Sequence, residues 1–298
     1  MEKIERASFV PWLLAARPKT LTASIVPVLL ATTLAWKAAG TVNLFLAFCG
    51  LCSALCIQIG TNLVNDALDF KKGTDTDDRL GPARVTQQGI LSITQVLAAG
   101  AVFLALALFI GMPLMLEGGW PLAAALGISV LCAYCYTGGP FPIAYVGLSD
   151  LFVIGFFGLV CTTAMYYVQV GTVTPQAVLV GLQVGMLATA MSIINNLRDV
   201  VEDARNNKRT LAVRFGSTFS RIELAVMIFT PYALNVFAFY NDSILIAAAP
   251  FLALALGAKV VHAVAVTEPS KDYNRFLAMA ALHQLAFGFL LAGGLLIG

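Results

Sequence analysis

Residues 43–69 read NLFLAFCGLCSALCIQIGTNLVNDALD, a long apolar run that ends in a cluster of amides and carboxylates. A transmembrane helix needs about 20 mostly apolar residues, so this stretch predicts a helix that crosses a membrane and carries Asn65, Asp66 and Asp69 at its end. An ionisable side chain at membrane depth is energetically costly. Carboxylates at such a border therefore indicate a compensating cation or a function.

The rest of the chain is equally apolar. Of its 298 residues, 59% are hydrophobic and 11% are charged, and the mean hydropathy is +0.85, which excludes an ordinary soluble domain. We predict an all-α integral membrane protein, one domain over residues 1–298, with nine transmembrane helices in one bundle and a central chamber that opens near the cytoplasmic face. The predicted helices are Thr20–Ala38, Asn43–Asn65, Ser92–Leu116, Trp120–Tyr136, Leu148–Val168, Pro175–Asn196, Ile222–Tyr240, Ser243–Val266 and Phe276–Ile297.

The basic residues determine the predicted orientation. With a cytoplasmic amino terminus, 17 of the 18 Lys and Arg residues lie inside and only Lys37 lies outside, in agreement with the positive-inside rule. Nine of the 17 lie after the sixth predicted helix or between the eighth and the ninth: Arg198, Arg205, Lys208, Arg209, Arg214, Arg221, Lys259, Lys271 and Arg275. We therefore predict a multi-pass protein of the cell inner membrane with its carboxyl terminus outside. Because the basic residues act as an insertion signal, they indicate no nucleic-acid partner.

A second acidic segment, Asn195-Asn-Leu-Arg-Asp-Val-Val-Glu-Asp203, follows the sixth predicted helix. Both segments use helical i, i+4 spacing, which stacks side chains on one face. The stacked sets are Asn62 and Asp66, Asn65 and Asp69, and Asn195, Asp199 and Asp203. Carboxylate and amide oxygens are hard ligands that suit Mg²⁺. Two such clusters that face each other predict Mg²⁺ ions around a diphosphate, with its outer oxygens neutralised by nearby basic residues: Arg79, Arg84, Arg198, Lys208 and Arg209.

Other polar residues have simpler interpretations. A lone acidic residue at a helix end is usually a cap or a solvated interfacial charge. We interpret four residues in this way: Asp77, Asp78, Asp150 and Glu202. The six cysteines fall within predicted helices and are interpreted as packing residues.

Magnesium and a diphosphate in a membrane indicate an amphiphilic substrate whose tail lies among the helices. An allylic prenyl diphosphate fits, because the metal would withdraw charge from the leaving diphosphate and an apolar chamber would protect the allylic cation from water. An electron-rich aromatic ring could then capture the cation. Aromatic side chains could stabilise it by cation–π attraction, and the candidates are Tyr134, Tyr136, Phe141, Tyr166 and Tyr167.

The two acidic segments resemble the motifs of the UbiA-type membrane prenyltransferases. Asn65-Asp-Ala-Leu-Asp69 with the run from Lys71 to Gly89 resembles the first motif, and Asn195 to Asp203 with the run from Lys208 to Gly216 resembles the second. Within that family, these runs and Arg17-Pro-Lys-Thr-Leu21 are most similar to the branch that acts on 1,4-dihydroxy-2-naphthoate in menaquinone synthesis.

The resemblance implies a magnesium-dependent transfer of a polyprenyl group from a polyprenyl diphosphate to 1,4-dihydroxy-2-naphthoate, with loss of its carboxylate, to give demethylmenaquinone. The catalytic residues it implies are Asn65, Asp69, Asp199, Asp203 and Tyr136. The metal ligands it implies are Asn65, Asp66, Asp69, Asp75, Asp199 and Asp203, with Asp75 replacing an aspartate that the superfamily has where this chain has Gly73. The substrate contacts expected are Asn62, Arg84, Asn195, Lys208 and Arg209.

Two alternatives remain open at this stage. The first is the same chemistry on another acceptor, such as 4-hydroxybenzoate, homogentisate or a tetrapyrrole propionate, because the sequence does not expose the recognition pocket. The second is an ion-coupled transporter, in which intramembrane carboxylates bind the coupling cation. In an ion-coupled transporter we would expect the carboxylates near the middle of the membrane. In this sequence they cluster at the predicted cytoplasmic border. The oligomeric state and the prenyl chain length are not predicted.

Overall fold

The structure is a computed structural model that describes residues 9–74, 79–82 and 84–298. Over these residues the chain forms helices and turns without β-strands, and nine helices are long and apolar enough to cross a membrane. The predicted all-α membrane fold is confirmed. The helices are α1 (Val10–Ala16), α2 (Thr22–Ala39), α3 (Leu44–Lys71), α4 (Ile93–Ile110), α5 (Met112–Cys135), α6 (Ser149–Val170), α7 (Pro175–Arg198), α8 (Val200–Arg205), α9 (Leu211–Phe239), α10 (Ile244–Val266) and α11 (Tyr273–Ile297).

The third predicted helix, Ser92–Leu116, is divided between α4 and α5. Ser92 caps α4, because its hydroxyl accepts a hydrogen bond from the backbone N–H of Gln95 while the Gln95 side chain accepts one from the backbone N–H of Ser92. Helix α4 ends at Ile110, and the break predicted between the third and fourth helices lies at Gly119, where φ is 67°. Glycine adopts this backbone conformation readily because it has no Cβ.

The connection predicted between the sixth and seventh helices is largely helical. Helix α8 follows α7 almost at once, and α9 begins at Leu211 rather than at Ile222. Thr210 starts α9, because its side-chain oxygen accepts a hydrogen bond from a backbone N–H in the first turn (3.3 Å). The connection after α7 is therefore built from a short helix and tight turns rather than from a long loop.

Several basic residues that were counted in inner connections lie on helices. Arg214 and Arg221 belong to α9 and Arg275 to α11, while Lys71, Arg198 and Arg205 are the last residues of α3, α7 and α8. Lys259 lies on α10, within the predicted helix Ser243–Val266. The predicted ends of the helices were wrong at the other residues, because charge limits an apolar run whereas capping groups set the end of a helix. Long basic side chains can still reach the membrane interface from a helix.

Helices α6 and α7 cross at very short range. A Cβ atom added to Gly158 in α6 would lie 2.5 Å from the carbonyl oxygen of Gly181 and 2.5 Å from the Cα of Gly185, both in α7. Small residues of this kind let helix backbones approach closely in a membrane. The middle of α6, Val153–Val160, is π-helical, a variant that is frequent at functional sites.

We expect Gly158→Ala to lower the free energy of unfolding by about 1–3 kcal/mol, because the added methyl group would have to displace backbone atoms. Gly155→Ala is the matched control, since a Cβ atom at Gly155, in the same π-helical stretch, would meet no atom within 4 Å. Thermal unfolding of both purified variants in one detergent measures the difference. Equal midpoints for the two variants would contradict the close crossing.

Helix α7 forms the centre of the bundle. Its residues are buried more completely than those of any other described span, and it packs against α2, α6, α9 and α11. The second acidic motif lies at the carboxyl-terminal end of this central helix and in α8, while the first lies at the carboxyl-terminal end of α3. Both motifs are therefore held at helix ends by a packed core.

Candidate active site

The two acidic motifs meet at one cavity beside the ends of α3 and α7. The cavity and its open mouth together contain about 1170 Å³ of space. Ten of the residues expected from the sequence line it: Asn62, Asn65, Asp69, Arg79, Arg84, Tyr136, Asn195, Asp199, Asp203 and Lys208. The structure thus brings the carboxylates of Asp69 and Asp203, which are far apart in the sequence, to the same hollow.

Asn65 organises the first acidic motif. Its Oδ1 accepts hydrogen bonds from Nη2 of Arg17 (2.8 Å) and from Nη2 of Arg84 (3.0 Å), while its Nδ2 donates to Oγ1 of Thr137 (3.0 Å). The same Nη2 of Arg84 lies 3.7 Å from Oδ2 of Asp69. Two guanidinium groups are therefore positioned beside the amide and carboxylate oxygens of this motif.

Tyr145 holds the carboxylate of Asp69 from the loop between α5 and α6. Its hydroxyl donates to Oδ1 of Asp69 (2.8 Å). Nζ of Lys72 lies 4.2 Å from the centre of the Tyr145 ring and donates to the carbonyl oxygen of Thr137 (2.6 Å). The loop after α5 thus contacts both polar residues of the first motif that face the cavity.

Asp199 in the second motif is paired with arginine. Arg198 donates to both carboxylate oxygens of Asp199, from Nε and from Nη2, each at 2.7 Å, and Nη2 of Arg79 lies 3.7 Å from Oδ2. Burial alone would raise the pKa of Asp199, but the hydrogen bonds and charge of Arg198 lower that pKa below its usual value. Asp199 is therefore ionised, and it lies at the cavity wall.

Lys208 is a partly buried cation between the two motifs. Its Nζ lies 3.1 Å from Oδ1 of Asp203. Burial opposes the charge on Lys208, but the carboxylates of Asp203, Asp69 and Asp199 outweigh this effect and raise the pKa of Lys208. The ammonium group therefore stays protonated and faces carboxylates from both α3 and α8.

Three residues expected at the site are not placed at the cavity. Asp66 is almost fully buried, and its carboxylate accepts hydrogen bonds from the backbone N–H and the hydroxyl of Thr86. The side chain of Arg209 is exposed to the surroundings, and its backbone N–H donates to the carbonyl oxygen of Tyr145 (3.0 Å). Asp75 lies outside the described residues. Asp66 therefore braces the segment after α3 in this structure.

The aromatic wall of the cavity differs from the one expected. Of the five aromatic candidates, only Tyr136 lines the cavity, and burial raises its pKa to about 12, so that it stays a neutral phenol. Phe152 and Phe157 from α6 complete the wall, with the Phe152 ring centre 5.5 Å from that of Tyr136. The other four aromatic candidates lie away from it: Tyr134, Phe141, Tyr166 and Tyr167.

A second, apolar cavity adjoins the first. It contains about 810 Å³ of space between α3, α5 and α6, and it shares the lining residues Thr61, Phe152 and Phe157 with the polar cavity. The rest of its wall is mostly aliphatic and aromatic. The polar and apolar cavities together suit a molecule with a charged head and a hydrocarbon tail.

The donor set of the polar cavity fits a hard divalent cation. The described residues contain no group of three or more His, Cys, Asp or Glu side chains already arranged around one point. However, Oδ2 of Asp203 is buried and has no hydrogen-bond partner among the described residues, and the other donors available are carboxylate and amide oxygens, which Mg²⁺ prefers. Asp69, Asp199 and Asp203 with Asn65 are the residues that could hold it.

Comparison with known proteins assigns the chain to a family. The model of the UbiA prenyltransferase family matches residues 24–290. The chain belongs to the UbiA prenyltransferase family. The 1,4-dihydroxy-2-naphthoate octaprenyltransferase of Haemophilus influenzae is 31% identical to this UbiA protein over 303 residues, with 96% of each chain covered. The protein of the same name from Mycobacterium tuberculosis is 37% identical over 217 residues, with 72% of this chain and 73% of that protein covered.

A solved structure has the same fold as this UbiA prenyltransferase. It is a UbiA homolog from Archaeoglobus fulgidus bound to DMAPP and Mg²⁺, with a TM-score of 0.59 and 16% sequence identity, covering 94% of this chain and 98% of that one. At this identity the likeness shows the fold. The resemblance inferred from the two acidic segments is therefore confirmed at the level of the family.

Several residues at the site of this UbiA prenyltransferase were not predicted from its sequence. Tyr145, which bonds Asp69, lies in a loop that contains no acidic motif. Ser149 and Ser192, which line the cavity, lie on helices whose other residues are mostly apolar. Asp150, interpreted as a cap or a solvated charge, is 4% exposed and bonds the side chain of Ser192. That interpretation was wrong. The available signal was the position of the loop between α5 and α6 on the same predicted inner face as the motifs.

Proposed function

We propose that this protein transfers a polyprenyl group from an allylic polyprenyl diphosphate to 1,4-dihydroxy-2-naphthoate, with loss of the ring carboxylate, to give demethylmenaquinone. The observation that carries the proposal is the cavity in which carboxylates of α3, of α8 and of Asp199 at the end of α7 face basic side chains beside an apolar chamber. The names of the relatives support the acceptor. The ligands of the A. fulgidus homolog support a prenyl diphosphate and Mg²⁺ as substrate and cofactor.

The polar cavity would bind the diphosphate. Asp69, Asp199 and Asp203 with Asn65 would hold Mg²⁺, which when bound withdraws negative charge from the leaving group. Asp75 stays a candidate ligand. The basic side chains at the cavity would contact the outer diphosphate oxygens: Arg17, Arg79, Arg84 and Lys208.

The apolar chamber would hold the start of the prenyl tail and exclude water. The C–O bond to the diphosphate breaks, the allylic carbon forms a C–C bond with the naphthoate ring, and the carboxylate leaves as CO₂ with its bonding electrons returned to the ring. Phe152 lines both cavities and Tyr136 lines the polar one, and aromatic rings at this position can stabilise an allylic cation. Exclusion of water protects that cation from hydrolysis.

The distribution of charge supports action at the inner face of the cell inner membrane. We infer that the amino terminus is cytoplasmic and the carboxyl terminus is outside, since this orientation leaves only Lys37 among the basic residues on the outer side. The acidic motifs lie at helix ends rather than in the middle of spans. This position favours an enzyme at the inner surface over an ion-coupled transporter.

The proposed function is tested with purified protein in detergent, supplied with Mg²⁺, octaprenyl diphosphate and 1,4-dihydroxy-2-naphthoate. Mass spectrometry is expected to detect a prenylated naphthoquinol that lacks the carboxylate, with one diphosphate released per product. Competition by 4-hydroxybenzoate or homogentisate measures acceptor choice, and neither is expected to be prenylated efficiently. Exclusive prenylation of another acceptor, or ion flux in proteoliposomes without chemical turnover, would contradict the proposal.

Tyr145→Phe is expected to raise the Mg²⁺ concentration for half-maximal activity by about 10-fold, because loss of an outer-shell hydrogen bond to a metal ligand typically weakens metal binding by that order. The variant removes the hydroxyl that donates to Asp69 (2.8 Å) and leaves the ring under Lys72. A Mg²⁺ titration of the initial rate measures the shift. Tyr240→Phe, at an exposed position outside the cavity, is the control, and identical titration curves for both variants would contradict the role of Tyr145.

A further inference from the structure

A buried carboxylate lies behind the wall that α6 and α7 contribute to the polar cavity. Asp150, in the first turn of α6, is 4% exposed. Its Oδ1 accepts a hydrogen bond from Oγ of Ser192 in α7 (2.8 Å), and its Oδ2 is buried with no hydrogen-bond partner among the described residues. A buried carboxylate that is only partly satisfied is costly. Such a group calls for a functional explanation, and the proposed diphosphate site does not use it.

Ser192 connects this carboxylate to the cavity. Its side chain lines the cavity, and its proton is directed towards Asp150. A serine hydroxyl has one proton and two lone pairs, so the oxygen of Ser192 can offer only an acceptor to a molecule in the cavity. Ser149, 2% exposed, also lines this wall and lies beside the carboxylate of Asp150.

The surroundings of these hydroxyls suit a flat aromatic ring. Phe152 and Phe157 line the cavity from the same helix as Asp150, and the Phe152 ring lies 5.5 Å from the ring of Tyr136. Ser192 precedes Asp199 by seven residues on α7, which corresponds to a rise of about 10 Å along the helix. The wall with Ser192 is therefore deeper in the bundle than the carboxylates, on the side where the apolar cavity begins.

We propose that Ser192 and Ser149 form the subsite for a ring hydroxyl of the aromatic acceptor, with Asp150 as the positioning residue that orients Ser192. The acceptor hydroxyl donates a hydrogen bond to Oγ of Ser192, which donates its own proton to Asp150. A phenolic hydroxyl that donates in this way leaves more electron density on its ring, and a richer ring attacks a cation more readily. The inference rests on the proposed function and adds the residues that recognise the acceptor.

The test compares Ser192→Ala, Ser192→Thr and Asp150→Asn with wild type, using 1,4-dihydroxy-2-naphthoate and octaprenyl diphosphate. Ser192→Ala is expected to raise the KM for the naphthoate by about 10-fold, the order expected for loss of one buried hydrogen bond, while the KM for the diphosphate stays unchanged. Ser192→Thr, which keeps the hydroxyl, is expected to restore the wild-type KM. Asp150→Asn is expected to raise the same KM by a smaller factor, because the amide oxygen can still accept from Ser192.

Thr189→Ala is the matched control for packing. Thr189 lies one turn before Ser192 on α7, and its hydroxyl approaches the backbone carbonyl of Asp150 (3.4 Å) rather than the carboxylate. This variant is expected to keep both KM values. Inhibition by 2-naphthoate, which has no ring hydroxyl, is expected to be equal in wild type and Ser192→Ala.

The outcomes separate the two proposals. If wild type is active and Ser192→Ala changes neither KM, the acceptor subsite is overturned and the proposed function stands. The same conclusion follows if Ser192→Ala raises the KM for the diphosphate instead of the KM for the naphthoate. Loss of 2-naphthoate inhibition in Ser192→Ala also overturns it, because that loss would reflect altered packing. A wild type that prenylates no aromatic acceptor overturns the proposed function itself.

Discussion

Replacing Asp69 and Asp199 together by alanine is expected to lower the rate of prenyl transfer by more than about 1000-fold, since removal of a single group that stabilises developing charge typically costs 100- to 1000-fold. The two carboxylates come from different helices and line the same cavity. Each single variant should already lose at least about 100-fold. The initial rate of prenylated naphthoquinol formation, measured with purified protein at saturating Mg²⁺, gives the effect.

Asp242→Asn is the control for this experiment. Asp242 follows α9 and pairs with Lys37 near the end of α2 (3.2 Å), away from the cavity. Its removal is expected to leave the rate unchanged. Normal product formation by the Asp69→Ala, Asp199→Ala double variant would contradict the roles assigned to both carboxylates.

Replacing Lys208 by methionine is expected to lower kcat/KM for the prenyl diphosphate by about 100-fold or more, because a buried cation at a leaving group contributes charge stabilisation of that order. Lys208 lies 3.1 Å from Asp203, lines the cavity, and keeps its proton because carboxylates of both motifs surround it. Lys208→Arg keeps the charge and should retain more activity than Lys208→Met. Steady-state kinetics with varied prenyl diphosphate measure the three proteins.

The pair of Lys37 and Asp242 provides an unusually close control. Its ion-pair distance of 3.2 Å is similar, but its side chains are 26% and 30% exposed, against 13% and 5% for Lys208 and Asp203. An exposed ion pair contributes about 0–1 kcal/mol to stability, so Lys37→Met should have little effect on activity or folding. Equal losses of activity in Lys37→Met and Lys208→Met would show that Lys208 has no special role.

The sequence was sufficient to predict the parts of the structure that depend on local pattern. The nine spans follow from runs of apolar residues, because a bilayer requires a hydrocarbon surface of fixed length. The convergence of Asp69 with Asp199 and Asp203 was also expected, since both motifs fall on the same predicted face of the membrane. Helix ends were less well predicted, as at Leu211, because a cap such as Thr210 acts through one hydrogen bond and leaves the hydropathy unchanged.

Residues whose placement depends on tertiary packing could not be predicted in the same way. Asp66 and Asn65 are adjacent in the sequence, but consecutive side chains on a helix point about 100° apart, and only Asn65 reaches the cavity. The packing of α3 decides which of the two side chains faces the cavity, and Thr86 holds the Asp66 carboxylate away from it by a hydrogen bond. Tyr145 contacts Asp69 across 76 residues of sequence, a distance that no local pattern spans.

The central claim is that both acidic motifs together hold Mg²⁺ and the diphosphate. Its most direct test is the binding of octaprenyl thiolodiphosphate, a slowly reacting analogue, to wild type, Asp69→Asn and Asp199→Asn, measured by calorimetry with Mg²⁺ and again with EDTA. We expect tight binding by wild type with Mg²⁺, weak binding with EDTA, and weak binding by each variant under both conditions. Equal affinity in all three proteins, with or without Mg²⁺, would contradict it.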